Sequence, residues 1–129
     1  MRKLSALAIA ATVLLAACNQ AKSPETVDKN VDKAEQKAAE DVAKTENSAA
    51  KDLGKSADQV GDDVVKFNND AAREAYKVAV AQADGERNIA LAKCEGQSGD
   101  AQKMCKDQAN ADYDAAKAHA KAVAESAKQ

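Results

Sequence analysis

The stretch Lys93-Cys94-Glu95-Gly96-Gln97-Ser98-Gly99-Asp100-Ala101-Gln102-Lys103-Met104-Cys105 decides the fold. Its centre, Glu95 to Asp100, interrupts a chain otherwise rich in alanine, lysine and acidic residues. Glycine beside serine and aspartate breaks helical periodicity. Gly96 suits a helix C-cap, and Ser98 or Asp100 suits an N-cap. Helical pattern leads into this break from Asp70 to Cys94 and resumes from Ala101 to about Ala127. So short a break between two helices predicts an antiparallel hairpin.

Cys94 ends the first of these helices and Cys105 begins the second. In an exported protein an even pair of cysteines is read as a disulfide, and this one would staple the hairpin across its turn. Closing the loop stabilises the fold by roughly 3 kcal/mol in the chain-entropy account. A thiol redox or metal site is the poorer reading. The spacing is Cys-x10-Cys rather than Cys-x-x-Cys, and the charge of Glu95 beside Cys94 opposes a reactive thiolate.

The staple also acts as a ruler, because facing positions in an antiparallel hairpin have a constant sum, here 199. That register pairs Leu91 with Gln108, Ala90 with Ala109, Arg87 with Asp112 and Ala83 with Ala116. Further from the turn it sets Val80 against His119 or Ala120, Tyr76 against Val123, and Ala72 against Ala127. Most pairs are apolar on both sides, and the alanines allow close approach of the helices. Arg87 with Asp112 is expected as an ion pair.

Before the hairpin, Ser23-Pro24-Glu25 reads as a helix start, with Ser23 as N-cap, Pro24 in the first turn and Glu25 at the positive end of the helix dipole. An apolar stripe follows: Val27, Val31, Ala34, Ala38, Val42, Thr45, Ala49, Leu53, Ala57, Val60, Val64, Phe67, Ala71, Ala75 and Val78. Its mean step of about 3.64 residues fits a straight α-helix better than a left-handed coiled coil. The stripe weakens between Val42 and Leu53. Gly54 and Gly61 each cost about 1 kcal/mol in a helix, and Asn68-Asn69-Asp70 could cap a fresh one. The chain is therefore expected to divide near residues 61–69.

Composition sets the expected packing. Residues 18–129 contain 26 alanines but only 16 larger apolar side chains, with Phe67, Tyr76 and Tyr113 the only aromatics. Alanine buries little surface, at about 25 cal/mol per Å². The expected fold is all-α and elongated. Residues 24–66 should form a solitary or partly disordered helical spacer, of which a fully helical 24–60 would reach about 55 Å at 1.5 Å per residue. Residues 67–129 should form the stapled hairpin, held away from whatever anchors the N-terminus.

The anchor is read from the first eighteen residues. Arg2 and Lys3 precede an apolar run from Leu4 to Leu15, too short for a permanent span, which needs about 20 residues. Residues 1–17 thus read as a signal peptide and 18–23 as a tether. Leu15-Ala16-Ala17-Cys18 resembles the lipobox of bacterial lipoproteins. That resemblance implies cleavage before Cys18, acyl chains on its thiol and amine, and stable attachment at about 0.8 kcal/mol per buried CH₂. Asn19, where enteric inner-membrane lipoproteins carry aspartate, implies the outer membrane facing the periplasm.

A second resemblance covers roughly residues 73–125. Arg87-Asn88-Ile89-Ala90-Leu91-Ala92-Lys93-Cys94, Ser98-Gly99-Asp100-Ala101, Cys105-Lys106-Asp107 and Tyr113-Asp114-Ala115-Ala116-Lys117 resemble small Ala/Lys-rich exported proteins loosely labelled TolA-like. That likeness brings no catalytic residues with it. The Ala/Lys/Glu-rich first segment is also similar to stress proteins with long amphipathic helices. Braun-type murein lipoproteins share lipid plus helix but end in a lysine joined to peptidoglycan, whereas this chain ends Lys128-Gln129.

Function is expected to be non-catalytic and structural or stress-related. Removal of residues 1–17 takes two of the 19 basic residues and none of the 21 acidic ones, leaving a net charge near −4, which argues against nucleic acid. His119, the single histidine, reads as a solvated helix-face residue, and the acids Asp62, Asp63, Asp112 and Asp114 as solvating surface. No phosphate loop or nucleophile-base motif is present, and neither a metal nor another cofactor is expected. The alternative is a periplasmic binding module, an inhibitor, immunity factor or assembly adaptor. It would act through Arg73, Lys77, Ile89, Met104 and Tyr113 on the outer hairpin face, against an envelope protein or, non-covalently, peptidoglycan.

Overall fold

The structure, a computed structural model, describes residues 20–58 and 64–128. The signal segment, Cys18 and the Val60-Gly61 region lie outside the described residues. Three helices account for nearly all of the rest: α1 (Pro24–Asp58), α2 (Val64–Cys94) and α3 (Gly99–Ser126). The described residues contain no strand.

The expected start of α1 holds. The Ser23 carbonyl accepts hydrogen bonds from the Thr26 and Val27 amides at 2.9 and 3.0 Å, while its hydroxyl meets that of Thr26 at 2.8 Å. Glu25 lies in the first turn and Lys55 in the last, each matching the dipole. Pairs four residues apart, Glu25–Lys29 at 2.7 Å and Lys37–Asp41 at 2.8 Å, add a few tenths of a kcal/mol each. The start of α2 differs from expectation. It begins at Val64 and runs helically through Asn68-Asn69-Asp70, so those residues cap nothing. At the hairpin turn, Ser98 takes the extended N-cap conformation (φ −136°, ψ 163°) without a side-chain cap bond. The left-handed residue is Gly99 (φ +57°), not Gly96.

Helix α2 is the central element. Its contact with α3 is the expected hairpin: Cys94 is fully buried and disulfide-bonded to Cys105, with Cα atoms 5.6 Å apart. Ala72, Ala83 and Cys94, all buried, recur every 11 residues, which is three helical turns, and so form one stripe. The expected register is kept. Ala72, Tyr76, Val123 and Ala127 line one groove, and Ala83, Ala90, Ala109 and Ala116 line another.

The expectation of a solitary first helix is corrected. Helix α1 packs along α2 and runs antiparallel to it. Ser56 donates to Asp70 at 2.8 Å near one end, and Asn30 reaches Glu95 at the other. The face of α1 turned inward is the stripe read from sequence: Val27, Val31, Ala34, Ala38, Val42, Thr45 and Leu53 are half-buried and Ala49 is buried, while most residues between them are exposed. The stripe is not one continuous helix, because the chain reverses between Asp58 and Val64.

Small residues make this seam possible. A methyl group added at Gly85 would sit 2.7 Å from the Cβ of Ala38, so the two backbones approach closer than any side chain at 85 would allow. Ala83 faces α3 and Gly85 faces α1. Two residues apart, they point roughly 200° from each other around the helix. Consequently α1 and α3 flank α2 on opposite sides, and no Cα of α1 lies within 8 Å of one in α3 among the described residues. The three helices form a flat ribbon. Helix α1 therefore does not hold the hairpin away from the tether. It brings the start of the chain back beside the stapled turn.

Candidate functional site

The best-defined polar constellation joins the tether to that turn. The Lys22 amide donates to the Glu95 carbonyl at 2.8 Å, and its ammonium pairs with the Glu95 carboxylate at 2.9 Å. The Asn30 side-chain amide donates to the same carboxylate oxygen. Asn30 lies on the edge of the α1 stripe, two turns in from Lys22, and so reaches the turn as α1 runs past it. The Lys22 and Asn30 hydrogen bonds, in that order, hold the Glu95 carboxyl below the usual carboxylate range. Glu95 is thus a clasp: backbone and side chain together fix residues 22–30 to the residue after Cys94.

A second polar feature lies deep in the ribbon. Glu74 is 1% exposed, on the side of α2 that faces α1. Lys77 donates to both of its oxygens, at 2.8 and 3.0 Å, and Arg73 Nε pairs with it at 3.2 Å. Arg73 also meets Asp70 at 3.3 Å. The buried charge is therefore matched by cations of its own helix, whose long side chains keep their heads at the surface.

The α2–α3 seam opens into a groove of about 430 Å³ at the end remote from the clasp. Tyr76, His119 and Val123 line it together with alanine methyl groups. Nearer the staple, Arg87 lies over the Tyr113 ring at 5.0 Å, with Lys117 against the same ring at 5.8 Å.

The expected Arg87–Asp112 ion pair is corrected accordingly. Arg87 meets Asp84 on its own helix at 3.5 Å and stacks on Tyr113, while Asp112 accepts from Gln108 at 2.7 Å. The aromatic face offers a planar guanidinium a partner one position along from the acid.

The five candidate partner residues do not share one surface. Arg73 and Lys77 converge on Glu74. Ile89 is half-buried on the same helix, 16 residues from Arg73 and roughly 160° around it. Tyr113 is half-buried under Arg87, and Met104 is 71% exposed near the stapled turn. His119 is exposed on α3 at the rim of the groove. No group of three or more metal-ligating side chains occurs among the described residues, and none of their helices is long and apolar enough to cross a membrane.

Sequence reasoning missed Lys22, Asn30, Glu95, Glu74 and Gly85. The legible signal was Gly85: a glycine inside a strong helical pattern, with no cap nearby, marks a close approach of another backbone. Compared with known protein families, characterised proteins and solved structures, the chain matches none.

Proposed function

We propose that this chain is a non-catalytic bacterial lipoprotein, anchored through acyl chains on Cys18 in the cell envelope, with a structural or stress-related role there. The observation that carries the reading is the lipobox Leu15-Ala16-Ala17-Cys18 directly ahead of a tether that the fold grips at Lys22. A clasped tether supports attachment close to the folded ribbon rather than at the end of a long spacer. The buried Glu74, matched by Arg73 and Lys77, and the part-buried Glu95, matched by Lys22 and Asn30, also fit a scaffold. The test is envelope fractionation of the wild type and Cys18→Ser. Loss of the variant from membranes supports the anchor, and equal retention contradicts it.

A second reading is favoured by one observation, the open groove beside Tyr76, His119 and Val123. It makes the protein an adaptor for an envelope partner, displayed at the end of the ribbon farthest from the tether. Photocrosslinking from Val123 and from Tyr113 in cells separates the readings. One discrete adduct from Val123 supports an adaptor, and diffuse products from both positions support a scaffold.

A further inference from the structure

We propose that the stapled turn is the surface on which this protein rests against the lipid bilayer, with Met104 as its apolar contact. The inference rests on the lipid-anchor reading and adds an orientation to it. Cys18 precedes Lys22 by four residues, which span at most about 14 Å of extended chain. Lys22 is held on Glu95 by a backbone and a side-chain bond, so lipid on Cys18 enters the membrane within that reach of the α2–α3 turn. The opposite end of the ribbon, with Val64, Val65 and Val123, lies the length of α2 away, about 45 Å at 1.5 Å per residue.

The described residues expose four large apolar side chains: Val64 (62%), Val65 (66%), Val123 (52%) and Met104 (71%). Three lie at the far end, and Met104 alone lies at the tethered end, in the second turn of α3. It points away from α2, since Gln102 and Ala109 are the buried residues of that stretch. A flexible, polarizable thioether adapts to an irregular apolar medium. Its helical neighbours Asp100, Asp107 and Gln108 and the adjacent Lys103 are exposed, as are Gln97 and Ser98 of the turn. Polar groups beside an apolar side chain match the headgroup layer above the acyl chains. Acids and bases are mixed here, so the contact does not depend on anionic lipid.

The chain has no tryptophan, which gives a clean probe. The mature lipoprotein is purified as wild type, Met104→Trp and Val123→Trp, and each is reconstituted in phosphatidylcholine vesicles with plain or brominated acyl chains. Met104 is exposed and Val123 borders a groove already open to solvent, so neither substitution has to displace packed side chains. Vesicle flotation is recorded in parallel. The expected result is that all three proteins float and that Met104→Trp loses most of its emission in brominated vesicles while Val123→Trp keeps its own. Flotation with equal quenching, with no quenching, or with Val123→Trp the more quenched overturns the orientation and leaves the anchor standing. Failure of the wild type to float overturns the anchor, and this inference with it.

Discussion

Lys22 grips Glu95 twice, through its backbone amide at 2.8 Å and its ammonium at 2.9 Å, across 73 positions of sequence. That one relationship turns a chain that reads as spacer plus hairpin into a closed ribbon. It sets the tether at the stapled turn and, with the Ser56–Asp70 bond at the other end, holds both ends of α1 against α2.

The clasp should weaken in acid. Glu95 has a depressed pKa in the folded state, so its contribution is fully present above the ordinary value near 4.5 and disappears as pH falls through the lower folded value. Glu95→Gln should lower the melting temperature at neutral pH. The gap between wild type and variant should narrow as pH falls below about 4.5 and close only beneath the depressed folded value, where both carry a neutral side chain. Thermal melts of both proteins across this range check the direction.

Reduction should release α3 first. That helix meets only α2 among the described elements, and the buried residues facing it are mostly alanines. Removing the Cys94–Cys105 bond by reduction or Cys105→Ala should cost about 3 kcal/mol. Amide hydrogen exchange should then rise along 99–126 before it rises along 24–58. Equal acceleration in both regions would contradict the ribbon topology.

Two glycines should respond in opposite directions. Nothing lies within 4 Å of a methyl group added at Gly54, so Gly54→Ala should stabilise by up to about 1 kcal/mol through helix propensity. Gly85→Ala meets the Ala38 methyl and should destabilise by about 1–2 kcal/mol, overpacking exceeding the propensity gain. Adding Ala38→Gly to Gly85→Ala should recover much of the packing loss. Denaturant titrations of the four proteins complete a double-mutant cycle.

The Tyr113 ring should matter and its hydroxyl should not. Arg87 and Lys117 both lie against the ring face. Tyr113→Phe should be close to neutral, and Tyr113→Ala should cost roughly 1–2 kcal/mol in lost contact and cation–π attraction. Chemical denaturation distinguishes them.

The hairpin and its register were legible because the disulfide fixes one pair and helical geometry propagates the rest. Ala83 with Ala116 and Tyr76 with Val123 follow from Cys94 and Cys105 alone. The buried stripe of α1 was legible too, from Val27 to Leu53. Its partner was not. Counting large apolar residues finds too little to bury, whereas this seam relies on Ala38, Ala49 and Gly85, which gain contact by close backbone approach rather than by side-chain area. Glu74 also lies on that side of α2, and a glutamate reads as solvent-facing in any hydropathy pattern. The clasp was invisible for another reason: Lys22, Asn30 and Glu95 are ordinary polar residues until the reversal between Asp58 and Val64 brings them together.

The closure itself is tested most directly by a distance. Spin labels are introduced through non-natural amino acids at Gln20 and Ser98, both exposed, leaving all three cysteines intact. Pulsed dipolar spectroscopy on the mature protein should give a single short separation, since Lys22 and Glu95 are in hydrogen-bond contact. A broad distribution centred on the order of 50 Å, the length of α1 at 1.5 Å per residue, would mean that α1 stands alone as a spacer and would contradict the account.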